Sequence, residues 1–450
     1  MRGHENRHPL PIANCTLPID LRWRNNCGDY LKRKMYNLSN AKDLDALINA
    51  AGERMVVMLG EASHGTHEYY TWRTAISKRL IEEHGFNFIA VEGDWPDCYK
   101  INRYVKGYKD AGTDTREVLQ SFDRWPTWMW ANWEVAALVE WLREYNSHKS
   151  IEKKAGFYGL DVYSLWDSMD AMVNYLDKED PQAAASVKKA IHCFEPFRER
   201  EQSYAYSLRE HNCRDKVLSM LKEIRMKAQF LDGDREAGFN AEQNALIAVN
   251  AEKYYSSLIG FDNESWNIRD THMMETMERL IAFHGPGAKG IVWEHNTHIG
   301  DARATDMTHA GMINIGELAR KQYGDDDIYL VGFGSYKGTV IAGDAWGAPM
   351  EEMEVPPAKP GSIENALHQL GTHDRYMLFD EETDVMFDEE TDHRAIGVVY
   401  HPGREKYGNY VPTVMSQRYD AFIYLDSTKA LHPLHLPTGH KMPETFPFGV

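Results

Sequence analysis

Long apolar runs, paired cysteines and excess positive charge are all missing from this 450-residue chain. Nowhere do the roughly 18 consecutive apolar residues of a transmembrane helix occur, so no membrane span is expected. Residues 1–20 mix charge, His and Pro without an apolar core, so no secretory signal is expected either. A formal net charge of −18 argues against a polyanion-binding surface, because phosphate contacts need clustered Lys and Arg, so no nucleic-acid partner is expected. The five cysteines (Cys15, Cys27, Cys98, Cys193 and Cys213) are scattered, odd in number and form no CxxC pair. They predict the absence of a disulfide framework and a reducing, cytoplasmic location. Neither a GxSxG nucleophile elbow nor an HExxH zinc motif is present. Those absences leave a soluble globular protein, long enough for a large core or for two or three domains.

What is present is concentrated at residues 54–68, RMVVMLGEASHGTHE. Met55 to Leu59 is continuous, apolar and partly β-branched, the pattern of a strand buried on both faces. Gly60-Glu61-Ala62-Ser63-His64-Gly65 follows as a small-residue turn, and helical spacing runs from Tyr69 to Glu83. A second strand at 86–91 ends in Glu92-Gly93-Asp94, which makes a strand–helix–strand unit with parallel strands. Glu61 and Glu92 are therefore expected at one edge of one sheet. A third strand, 157–160, ends in Asp161, and a fourth, 290–293, ends in Glu294-His295-Asn296-Thr297-His298. Asn40 to Ala51 reads as a short helix with Asn40 as its N-cap. Further strands are expected at 328–333, 338–343, 395–400 and 421–425.

Between these units, residues 165–262 carry Ala/Glu/Lys/Arg-rich stretches without strand candidates (166–178, 182–194, 201–231 and 240–258) and read as a helical insertion. Another helix opens at Trp266. The expected organisation is α/β: a mostly parallel central sheet flanked by helices. Its core is formed by 1–164 and 263–450, and 165–262 forms a lobe or lid over the cleft. An acidic repeat, FDEETD at 379–384 and again at 387–392, reads as a surface loop or hairpin.

Parallel strands deliver the residues that follow their C-terminal ends to one crevice. An imidazole there can take a proton from water while a neighbouring carboxylate orients the ring, and an arginine can hold negative charge developing on a carbonyl oxygen. His64 is the candidate base, with Glu61 beside it, and Arg73 and Arg269 are the candidate charge-holders. Ser63 and Cys98 lack the setting of a nucleophile, so direct attack by water is expected. A competing arrangement uses His64, His67 and Glu68, or His295 and His298, as zinc ligands. The tryptophans Trp125, Trp128 and Trp130 line a hydrophobic site or pack beneath a loop, with nothing in the sequence to decide between them.

Six ordered motifs resemble the erythromycin esterase family, whose members are often labelled succinoglycan biosynthesis proteins. They are LGEASHGTHEYYTWR (59–73), FIAVEGDWPDCYKINRYV (88–105), WPTWMWANWEV (125–135), FYGLDVYS (157–164), WNIRDTHM (266–273) and WEHNTHIGD (293–301). The resemblance implies an α/β core with a helical lobe and hydrolysis of a small-molecule ester or lactone, a macrolide in the resistance enzymes, with no cofactor called for. It implies His64 as general base, Glu61 as its acidic neighbour, and Arg73, Glu92, Arg269, His295 and His298 as the other polar residues of the cleft. Two alternatives stand beside it: a metal-dependent hydrolase or peptidase using the same histidines, and a non-catalytic protein of polysaccharide biosynthesis.

Overall fold

The computed structural model describes residues 27–193, 234–258 and 263–434, with a few positions between 213 and 222. Its strands are β1 (Tyr36–Asn37), β2 (Val56–Leu59), β3 (Phe88–Asp94), β4 (Gly156–Asp161), β5 (Gly290–Trp293), β6 (Ile328–Ala342), β7 (Glu351–Val355), β8 (Arg375–Leu378), β9 (Thr391–Arg394), β10 (Tyr410–Thr413) and β11 (Ala421–Thr428). The helices that matter for the site are α1 (His67–His84), α2 (Trp95–Lys106), α3 (Trp133–Ser147), α4 (Leu165–Glu179), α5 (Pro181–Ile191), α6 (Arg235–Ser257) and α7 (Glu264–His284).

A nine-stranded sheet runs in the order β1-β8-β11-β6-β2-β5-β3-β4, with β7 on β6. The six strands from β11 to β4 are parallel, while β1, β7 and β8 pair antiparallel. The fold is thus α/β with a mostly parallel central sheet flanked by helices, as expected. The continuous apolar pattern of β2 follows from burial on both faces. Val57 and Leu59 join one core with Ile89, Val91, Ile291 and Trp293, into which Ile76 and Leu80 of α1 pack. Val56 and Met58 join the opposite core with Ala90, Val292 and Leu330, covered by Met273 and Met277 of α7. Burying such residues stabilises the fold by about 1.5–3 kcal/mol each, which offsets the entropy of ordering the strands.

Several expectations need correction. Residues 328–343 form one strand of 15 residues rather than two, because β6 continues past Gly334 to pair with β7. Residues 395–400 form no strand; Ile396 and Val399 make only isolated parallel bridges, to Ser63 and Gly343. The first acidic repeat is a capped helical turn, in which the Asp380 carboxylate accepts from the Glu382 and Thr383 amides, and the second leads into β9. Asn40 does act as an N-cap, with its side chain accepting from the Lys42 amide of a short 3₁₀ turn.

The cysteine reading is also overturned. Cys193 and Cys213 form a disulfide across 20 residues, and Cys27 is disulfide-bonded as well, leaving Cys98 as a free, buried thiol. The argument for a reducing compartment loses its ground. No helix among the described residues is long and apolar enough to cross a membrane. Of the expected helices in 165–262, α4, α5 and α6 are present and share a core of their own; the stretch 201–231 lies almost wholly outside the described residues.

Candidate active site

The register places Leu59 of β2 and Val91 of β3 on either side of Trp293 of β5, and Asp161 of β4 opposite Asp94. Chain continuing from these aligned ends carries Glu61 and His64, Glu92, and His295 and His298 to one edge of the sheet, where Arg269 of α7 meets them. The turn between β2 and α1 is close-packed. A Cβ at Gly60 would run into the Asn296 side chain, and one at Gly65 into the Ile341 carbonyl. Glycine there lets the turn carrying Glu61 and His64 lie against β6 and the 295–299 segment.

His64 Nδ1 lies 2.9 Å from Glu61 Oε1, and Arg73 Nη2 donates to Glu61 Oε2 at 2.6 Å. With its Nδ1 hydrogen donated to Glu61, the neutral ring keeps Nε2 as the acceptor. Burial opposes protonation of His64, but the Glu92 carboxylate and the hydrogen bond to Glu61 outweigh it and raise its pKa above the usual imidazole value. Arg73 is fully buried behind Glu61, against the rings of Tyr70 and Trp293. It holds Glu61 and does not line the cleft, contrary to the expectation that it would face a substrate oxygen.

Arg269 is the second centre. Its Nε and Nη2 grip Asp161 at 3.0 and 2.8 Å, Nη2 also donates to Glu92 Oε1 at 2.7 Å, and Nη1 lies 3.0 Å from His298 Nε2. Four of its five hydrogens are thereby committed, which leaves one on Nη1, and Arg269 is part of the cleft lining. Burial pushes Glu92 towards neutrality, yet His298, Arg269 and His64 around it and the His295 amide hold its pKa far below the carboxylate range. His298 is fixed by Asp270 at Nδ1, 2.9 Å away, and stacks on Trp266 with ring centroids 4.5 Å apart. Both of its nitrogens are therefore engaged.

His295 stands behind His64, with ring centroids 4.9 Å apart. Its Nδ1 meets the Thr297 hydroxyl at 2.9 Å, and Nε2 has no protein partner among the described residues. Burial keeps it neutral, with a pKa well below the usual value. Glu294 is buried without a hydrogen-bond partner for either oxygen among the described residues, and burial beside Glu92 raises its carboxyl well above the ordinary range. Ser63 is hydrogen-bonded to Thr66, and burial pushes the Cys98 thiol well up, so neither is set as a nucleophile.

The cleft over His64 has a volume of about 90 Å³, and Glu92, Asp161 and Arg269 are charged residues of its lining. Phe122, Trp125, Trp130 and Trp346 provide apolar walls, while Trp128 belongs to the core. The tryptophan motif thus divides between wall and core. Arg124 pairs with Asp94 at the rim and sits over the ring of Tyr163. Of the residues expected at the site, Glu61, His64, Glu92, Arg269, His295 and His298 are brought together, and Arg73 supports them from behind. Asp161, Asp270 and Trp266 are additional members. Each stands inside a motif visible in the sequence (FYGLDVYS or WNIRDTHM), but nothing there shows that they brace Arg269 and His298.

Comparisons with known proteins agree with this architecture. The family described as erythromycin esterase matches residues 81–428. Erythromycin esterase type II from Escherichia coli is 23% identical over 378 residues, covering 76% of this chain and 84% of that protein. The crystal structure of a succinoglycan biosynthesis protein has a TM-score of 0.72 at 20% identity and covers 90% of this chain and 98% of its own. A mutant of the erythromycin esterase EreC in its open conformation has a TM-score of 0.64 at 15% identity, covering 88% and 97%. At those identities the structural likeness shows the fold alone, whereas the family match spans well over half of the sequence. The chain belongs to the erythromycin esterase family.

Proposed function

We propose that this hydrolase opens an ester or lactone of a small molecule by direct attack of water, with His64 as the general base. The observation that carries this reading is the buried Arg73–Glu61–His64 series, which ends at an imidazole facing the cleft. Glu61 fixes the tautomer and stabilises the imidazolium formed when His64 takes a proton from water. In this reading the uncommitted Nη1 hydrogen of Arg269, a residue that lines the cleft, stabilises the oxyanion of the tetrahedral intermediate. Collapse of that intermediate expels the alcohol, which takes its proton back from His64. A positioned base contributes about 10²–10⁴-fold, and one charge-stabilising donor about 10²–10³-fold.

The aromatic walls favour an apolar or ring-bearing ester over a small polar one. Erythromycin, named in the Escherichia coli relative, and other macrolide lactones belong to the panel to be tested. Tyr254 of α6 packs on Tyr163, a wall of the cleft, which supports a lid role for 165–262. Against the metal alternative at the same histidines stands the Arg269 guanidinium, which occupies the Nε2 side of His298 where a second cation would be repelled. Hydrolysis of an ester and macrolide panel by the wild type and His64→Asn, with and without chelator, tests the reading. Turnover that survives chelator and is lost in the variant is expected. Activity abolished by chelator and restored by zinc would overturn it.

A further inference from the structure

Outside the cleft, three side chains from three separate segments converge on one point. His67 is the first residue of α1, Glu134 lies in the first turn of α3, and His432 sits near the end of the described chain. His67 Nδ1 and His432 Nδ1 approach the same oxygen, Glu134 Oε1, at 2.5 and 2.6 Å. Ligand atoms of the three residues all lie within 4.8 Å of one another, and no other group of three potential ligands does so among the described residues. Glu134 is buried, His67 half-buried and His432 exposed, so the cluster opens to solvent on one side.

We propose that His67, Glu134 and His432 form a binding site for a divalent transition ion of the zinc type. Two imidazoles and one carboxylate are a donor set that zinc accepts in tetrahedral coordination, with water completing the fourth position on the open side. Without a metal, Glu134 Oε1 accepts from both rings, and the cluster is hydrogen-bonded within itself. An ion between the three groups replaces those contacts with three bonds to the metal, once the Nδ1 hydrogens have moved to Nε2. Both helix N-termini disfavour a cation, and the buried Glu134 carboxylate opposes that field directly.

The surroundings give the site a structural purpose. Residues 429–434 lie across the turn carrying His64 through main-chain hydrogen bonds from His67 to Lys429, Leu431 to Gly65, Trp133 to His432 and Leu434 to Ala131. The Glu68 carboxylate also accepts from the Lys429 amide. A metal at this cluster ties the C-terminal segment to the starts of α1 and α3, and so braces the turn that carries His64. It supplies no reacting group, and the inference stands whether or not His64 acts as proposed.

Zinc titration of the untagged full chain against a chromophoric chelator, combined with thermal unfolding, tests this. One zinc per chain is expected for the wild type, with a higher melting temperature when zinc is present. His432→Ala, a change at an exposed position, is expected to weaken that zinc by more than tenfold and abolish the thermal shift, since even outer-shell changes cost about 10–100-fold in affinity. His64→Asn is expected to keep both. The proposal is overturned if the wild type takes up no zinc, if His432→Ala binds as the wild type does, or if His64→Asn loses the zinc instead.

Discussion

At the scale of single residues, the site depends on which of two similar groups is held and which is left open. Arg73 and Arg269 look alike in the sequence as candidates for oxyanion stabilisation. The structure separates them, because Arg73 ends on Glu61 beneath the turn and Arg269 reaches the cleft. His64→Asn should lower kcat/KM by about 10²–10⁴-fold. The base must be neutral to act, so the rate should rise with pH through the raised His64 pKa and level off above it. Glu61→Gln removes a group that raises that pKa, so the rising limb of the pH–rate profile should move to lower pH as kcat/KM falls. Replacing Arg73 with Met leaves the buried Glu61 without its cationic partner, which costs up to about 3–5 kcal/mol. Thermal unfolding of Arg73→Met should show that loss, with partial recovery in Arg73→Lys. The residue types of the site were legible from their positions after strands. Its bracing was not, because Asp161, Asp270 and Trp266 act through contacts between segments about 30 to more than 100 residues apart, and short-range pattern carries no trace of such pairing.

At the scale of elements, the strand–turn–helix from β2 to α1 was readable because its apolar run, glycines and helical spacing are all local signals. The strands expected at 328–333 and 338–343 are one strand in the structure; Gly334 suggests a break because glycine within a strand looks like punctuation. In β6 it permits close approach, since a Cβ there would meet the ring of Phe422. Gly65 has the same character with a sharper consequence. Gly65→Ala must push the turn that carries His64 off the Ile341 carbonyl, so activity should drop by at least about tenfold, as expected if the proposed base is misplaced by a fraction of an ångström. Circular dichroism should show the fold retained. The Cys193–Cys213 disulfide was invisible because 19 intervening residues and no CxxC spacing separate the pair from any sequence signature. Closing a loop of that size stabilises by about 3 kcal/mol, so Cys213→Ser should lower the melting temperature of the helical part measurably. Intact-mass measurement with and without reductant should register the bond directly.

At the scale of the whole molecule, the parallel order β11-β6-β2-β5-β3-β4 is what turns scattered motifs into a site. Parallel strands with aligned ends bring groups more than 200 residues apart to within hydrogen-bonding distance, as between Glu92 and the His295 amide. The α/β class was legible from alternating strands and helices. The order of strands in the sheet was not, because residues 165–262 and α7 stand between β4 and β5 and loosen any relation between sequence and neighbourhood. In the proposed function, this edge of the sheet is built around His64 as a water-activating base. The most direct test is kcat/KM for an ester the wild type hydrolyses, measured across pH for the wild type and His64→Asn. A loss of about 10² or more in the variant, together with disappearance of the rising pH limb, is the predicted result. A variant that hydrolyses within a few-fold of the wild type, with the same pH profile, would contradict it.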